Sequence, residues 1–135
     1  MLRVAVIGVG TMGKQHARVY TEIPGVELVA VADPDEGRTA EVVRRYKVKA
    51  YTDYREMLRR ERPDAVSIAA PTCLHRQIAL DVIAGGVHLL IEKPLASTPE
   101  EALEIIRAAD VKGVKLTVGH IERFNPAVRE LKRRL

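Results

Sequence analysis

Gly8-Val9-Gly10-Thr11-Met12-Gly13 follows a short apolar run and carries the pattern G-x-G-x-x-G. Alone the pattern is weak, because three glycines in six residues arise often by chance. Between a first strand and a first helix each glycine acquires a task. Gly8 permits the tight turn, Gly10 the close approach of a pyrophosphate, and Gly13 the packing of helix on strand. Backbone N–H groups from Val9 to Gly13 and the positive end of the helix dipole suit a diphosphate. Asp33 stands twenty residues after Gly13, at the end of a second apolar run. A carboxylate there accepts hydrogen bonds from adenosine ribose hydroxyls and repels a 2′-phosphate. Pro34-Asp35-Glu36 add acid, and Arg38 is the only nearby cation, so NAD is expected in preference to NADP. An Asp-Pro turn satisfied by local backbone is the alternative role for Asp33, and one carboxylate can fill both.

Two further stretches follow apolar runs. In Ala70-Pro71-Thr72-Cys73-Leu74-His75, the carboxyl end of a strand is where open α/β sheets bind ligands. Ala70, Pro71, Thr72 and His75 are therefore expected beside the cofactor, with orientation of the next helix an equal alternative for His75. In Glu92-Lys93-Pro94-Leu95, a lysine at a strand end beside a nicotinamide can hydrogen-bond a reacting hydroxyl and take part in proton transfer. Lys93 is the expected catalytic residue, and Glu92 and Lys93 are both expected to border the cofactor. An isolated Lys-Pro is ordinarily a surface turn; its place at a strand end favours the chemical role. No metal site is expected.

Positioning these residues requires a sheet. Runs rich in Val, Ile, Leu and Ala predict strands at Arg3–Ile7, Glu27–Ala32, Lys49–Tyr51, Ala65–Ala69, His88–Ile91 and Lys115–Val118. Because they are nearly all apolar rather than alternating, both sheet faces must be covered. The expected architecture is α/β: a doubly wound parallel sheet in three layers, the Rossmann NAD(P)-binding fold. Amphipathic stretches predict helices at Met12–Glu22, Glu36–Tyr46, Tyr54–Arg60, Arg76–Ala84 and Pro99–Ala109, with a last one within Asn125–Leu135. Thr98 before Pro99-Glu100-Glu101 and Asp53 before Tyr54 are N-cap types, while Gly85-Gly86 and Gly113 mark stops.

At 135 residues, with 47% hydrophobic and 30% charged residues, one globular domain is expected. No apolar run approaches the ~20 residues of a membrane-spanning helix, and the first run is too short for a signal peptide. The net charge of +4 comes from dispersed bases with acids among them, and aromatic residues are only 4%. A nucleic-acid binder would need a contiguous basic face or a stacking platform, so neither nucleic acid nor membrane is expected as partner. Cys73, the single cysteine, allows no internal disulfide and fits a reducing cytoplasm.

Taken together, the glycine motif with His16, Asp33, Ala70–His75, Glu92–Leu95 and Gly119-His120-Ile121-Glu122-Arg123-Phe124-Asn125-Pro126 resemble the family of glucose–fructose oxidoreductase, inositol dehydrogenase and their relatives (Gfo/Idh/MocA). Glu-Lys-Pro coupled to the final Arg-Phe-Asn-Pro is the specific part. The resemblance implies a sugar or nucleotide-sugar dehydrogenase in which Lys93 is catalytic or substrate-positioning and Glu92 supports it. Cys73 stands where the family usually has Asn. The last motif is most similar to the branch that oxidises the 3-hydroxyl of UDP-N-acetylglucosamine. The resemblance also implies that residues 1–120 form the dinucleotide-binding domain. Residues 121–135 would begin the connection to a C-terminal substrate domain that is absent from the chain and mediates homo-oligomerisation. On that reading the fragment binds cofactor without turnover, and the surface facing the missing domain is apolar. The alternative is a non-catalytic NAD-binding sensor or regulatory module.

Overall fold

The structure, a computed structural model, describes residues 1–135. Six strands, β1 (Leu2–Ile7), β2 (Val26–Ala32), β3 (Lys49–Tyr51), β4 (Ala65–Ile68), β5 (His88–Ile91) and β6 (Leu116–Val118), form one sheet in the order β3-β2-β1-β4-β5-β6. Every pairing is parallel. The connecting helices are α1 (Thr11–Glu22), α2 (Glu36–Tyr46), α3 (Tyr54–Glu61), α4 (His75–Ala84) and α5 (Pro99–Lys112), and α6 (Pro126–Arg134) follows β6. Short 3₁₀ turns at Thr72–Leu74 and Ile121–Phe124 precede α4 and α6.

Alternation along the strands sends side chains to two cores. Val4, Val6, Leu28 and Val31 meet Ala17 of α1 and Val42 of α2. On the opposite face Ala5, Ile7, Ala30, Ala32, Val66, Ile68, Leu89 and Ile91 meet Met57, Ile78, Val82 and Ile105 of α3, α4 and α5. The expected cover on both faces is complete over β1 and β2. It thins on the α1 side of β5 and β6, where Leu90 is half-buried and its register partner Thr117 is exposed. Two helices cannot span six strands.

Cap chemistry sets most helix ends. Thr98 accepts from the Glu101 amide with Pro99 at the first turn, and Asp53 accepts from that of Arg55. Asp35 and Asn125 cap α2 and α6 in the same way. Helix α5 runs one turn past its predicted end, to Lys112, because the left-handed Gly113 directly after it (φ 73°) closes it. Lys47 and Arg62 take left-handed C-cap positions without being glycine. Helix α6 buries none of its residues, and Ile121, Phe124, Val128 and Leu131 around it are exposed. No helix is long and apolar enough to cross a membrane.

Strand order reverses between β1 and β4, so the connections after these two strands leave in opposite directions and open a crevice at their carboxyl ends. The glycine loop, Asp33, the Ala70 loop and the Glu92-Lys93 segment all follow strands at this end.

Candidate functional site

The glycine loop separates into two kinds of glycine. A Cβ on Gly13 would collide with the Gly8 carbonyl oxygen, and one on Gly8, whose φ is 86°, would lie 2.7 Å from the Ala70 amide nitrogen. Both are demanded by the protein's own packing. At Gly10 a Cβ would meet nothing within 4 Å, and its φ of −69° is open to any residue. Internal packing therefore leaves Gly10 unexplained, whereas a ligand lying against the backbone explains it. Gly10 also begins α1 with no side-chain cap, unlike α2, α3, α5 and α6, and with no acid in the first turn, unlike α2, α3 and α5. The first-turn N–H groups, which lack partners within a helix, remain for an anion.

Asp33 is buried, with Oδ2 accepting from the Val9 amide at 3.0 Å and Oδ1 from that of Asp35 at 2.9 Å. The second bond is the local Asx turn; the first ties the end of β2 to the glycine loop. Carboxylate oxygens have further lone pairs, so these bonds leave capacity for ribose hydroxyls. Arg38 approaches Asp33 at 3.9 Å and Asp35 at 3.7 Å, which offsets part of the acidity expected there.

A cleft of about 700 Å³ runs from Gly8, Gly10 and Met12 past Asp33 and Arg38 to Ala70 and Pro71, with Thr52, Tyr54 and Arg55 on its outer wall. Tyr54 donates to Asp81 at 2.6 Å, and burial, followed by that bond, pushes its hydroxyl above the usual tyrosine range. It is a neutral wall. A larger cleft, about 870 Å³, lies between α3 and α4 at the amino ends of β4 and β5 and includes no glycine-loop residue. It is on the wrong end of the sheet for this chemistry.

His75 is 1% exposed. Its Nδ1 lies 3.0 Å from the Pro94 carbonyl oxygen and its Nε2 2.8 Å from that of Ala70. The side chain thus clasps the loops after β4 and β5 with both ring nitrogens on carbonyl oxygens, an arrangement that matches the orienting alternative of its two expected roles. The Ala70 and Pro71 loop it holds does line the cleft. Thr72 opens the 3₁₀ turn and is half-buried.

Glu92 faces inward. His16 Nε2 is 2.8 Å from its Oε1, His16 Nδ1 is 3.0 Å from Ser67 Oγ, and Ser67 Oγ is 2.6 Å from the Tyr20 hydroxyl. A Ser–His–Glu set suggests nucleophilic catalysis, but Ser67 is fully buried and its hydroxyl also meets Tyr20, so no substrate can reach it. Lys93, by contrast, is exposed and forms no ion pair, and it precedes Pro94 through a cis peptide bond. Adjacent residues at the strand end thus divide the work, Glu92 anchored within and Lys93 free. His120 and Arg123 are also exposed and line a separate cleft of about 650 Å³ with Phe124.

Sequence reasoning noted His16 but missed Ser67 and Tyr20, whose partners lie 51 and 47 residues away. The available signal was a serine between Val66 and Ile68 in an otherwise apolar strand.

A family model described as "Oxidoreductase family, NAD-binding Rossmann fold" matches residues 2–120. The chain is 38% identical over 131 residues to UDP-N-acetylglucosamine 3-dehydrogenase of Acidithiobacillus ferrooxidans, covering 97% of this chain and 41% of that protein. It is 35% identical to scyllo-inositol 2-dehydrogenase (NAD(+)) of Bacillus subtilis, covering 99% and 40%. Among solved structures, the WlbA dehydrogenase of Bordetella pertussis in complex with NADH and UDP-GlcNAcA superposes with a TM-score of 0.93 at 26% identity, covering 98% and 41%. The chain spans about two fifths of the length of the curated relatives it matches.

Proposed function

The chain belongs to the Gfo/Idh/MocA oxidoreductase family, and from that membership we propose that it is the dinucleotide-binding part of an NAD-dependent dehydrogenase acting on a sugar or nucleotide sugar. The observation that carries the cofactor half is Gly10: a residue that internal packing leaves free to carry a side chain is glycine where a pyrophosphate must touch backbone. The α1 N-terminus would hold the pyrophosphate, Asp33 the adenosine ribose, and the Ala70-Pro71 loop the opposite wall of the cleft. Asp33 and Asp35 favour NAD over NADP by repelling a 2′-phosphate. Arg38 weakens that preference without reversing it, because two carboxylates flank it.

Bound nicotinamide supplies the hydride acceptor. This chain's share of the work is orientation and proton handling. Lys93, exposed at the end of β5, is placed to hydrogen-bond the reacting hydroxyl and to share its proton as the carbinol hydrogen leaves. The likeness to the UDP-N-acetylglucosamine 3-dehydrogenase supports a nucleotide-sugar 3-hydroxyl as substrate. We further propose that residues 121–135 lead into a substrate-binding, oligomer-forming domain, for which the exposed apolar side chains around α6 provide a docking face. The 135 residues alone then bind NAD without turnover. The unpaired Cys73 suits a cytoplasmic setting.

Nicotinamide absorbance, followed with UDP-N-acetylglucosamine and with inositols in a protein carrying the complete pocket, tests the substrate. Reduction of NAD with one of these is the expected result. Tight NAD binding without turnover on any sugar or nucleotide sugar would overturn the enzymatic reading and leave a binding module.

A further inference from the structure

Resting on the dinucleotide-binding reading, we propose that His16 is a positioning residue, held in its Nε2–H tautomer by Tyr20 and Ser67 so that it grips Glu92 and fixes the end of β5 that bears Lys93. Every donor in the chain can point the same way. The Tyr20 hydroxyl donates to Ser67, the Ser67 hydroxyl to His16 Nδ1, and His16 Nε2–H to the Glu92 carboxylate. Each polar atom is then satisfied, as burial requires, and the imidazole's orientation is set by the bond on its far nitrogen.

Three features of the backbone are built around this grip. Ser67 sits on the face of β4 whose counterparts on β1 are Val4 and Val6, so an apolar residue would pack there and the hydroxyl is present for its bonds. Gly119 gives the carboxylate room: a Cβ there would lie 3.0 Å from Glu92 Oε1 and 3.2 Å from Oε2. His16 lies three residues after Gly13 on α1, so the helix that would receive the pyrophosphate is the one tied to the Lys93 segment. Lys14 and Arg18, the other bases on α1, pair with Glu41 and Glu22 and leave Glu92 to His16.

Two readings on the 135-residue chain test this. Imidazole ¹⁵N spectra should show His16 protonated on Nε2 alone in the wild type, with the Nδ1–H form gaining population in Ser67→Ala, which removes the donor to Nδ1. Protons on both nitrogens, or on Nδ1 alone, in the wild type would overturn the tautomer assignment. In hydrogen–deuterium exchange, His16→Ala should raise exchange about tenfold within 92–96, at the Glu92 amide that bonds the Ile68 carbonyl, and leave the core of β1 and β4 protected. His16→Gln, whose amide N–H reaches the same carboxylate, should return it to the wild-type rate. Unchanged exchange at 92–96, a rise shared by the whole sheet, or failure of His16→Gln to restore order would each overturn the positioning role. NAD titration is run separately: a wild-type chain that shows the local effect but binds no dinucleotide would sink the dinucleotide reading alone.

Discussion

At the β1–β2 end of the crevice the binding elements are locked into backbone: Gly8 and Gly13 by contact, Asp33 by two amide bonds. At the β5 end the scaffold is equally fixed, through His75 and through His16 on Glu92, yet the residue with chemistry to offer, Lys93, is exposed and unpaired. On the proposed reading the first end is a finished dinucleotide surface. On the same reading the second is a platform whose proposed reactive group would meet its partner when substrate binds, so the two ends should respond differently to mutation.

The largest expected effect is at Lys93. Lys93→Ala should lower turnover of the complete enzyme by about 10²–10⁴ while changing chain stability by no more than about 0.5 kcal/mol and leaving NAD affinity intact. Parallel loss of NAD affinity in calorimetry would erase the distinction between the two ends. Gly13→Ala should cost about 3 kcal/mol or more in denaturant unfolding, because its Cβ would enter the space of the Gly8 carbonyl. Asp33→Ala should cost about 2 kcal/mol by orphaning the Val9 and Asp35 amides, and it should narrow the preference for NAD over NADP. An unaltered preference would mean that Asp33 is a turn residue alone.

The smallest effect falls outside both ends, at Glu61. The Tyr51 hydrogen bond holds its carboxyl below the usual glutamate range against the opposing cost of burial, with help from Lys49. A depressed folded value means that this stabilisation is present above the unfolded-state value and is lost as pH falls through the folded one. Glu61→Gln should therefore flatten the acid side of the stability–pH profile without touching dinucleotide binding.

The strands and helices were legible because they are local: apolar runs, N-cap side chains and terminal glycines lie within a few residues of what they determine. Boundaries moved by a residue or a turn where the controlling cap, as with Gly113 and α5, is itself local. The turn at Asp33 and the close packing of Gly8 and Gly13 could be read for the same reason, since strand, turn and helix are contiguous. The clasp at His75 and the chain from Tyr20 to Glu92 could not. They join segments that only the β1-β4-β5 strand order brings together, and a histidine's choice between ligand and scaffold depends on atoms far along the sequence.

The most direct test of the account is calorimetric titration of the wild-type chain and of Gly10→Val with NAD and, separately, NADP. NAD should bind the wild type more tightly than NADP. Gly10→Val should lose about 3 kcal/mol of that binding, roughly a hundredfold in affinity, with an almost unchanged unfolding temperature. Equal NAD affinity in the folded variant, or no dinucleotide binding by the folded wild type, would contradict the account.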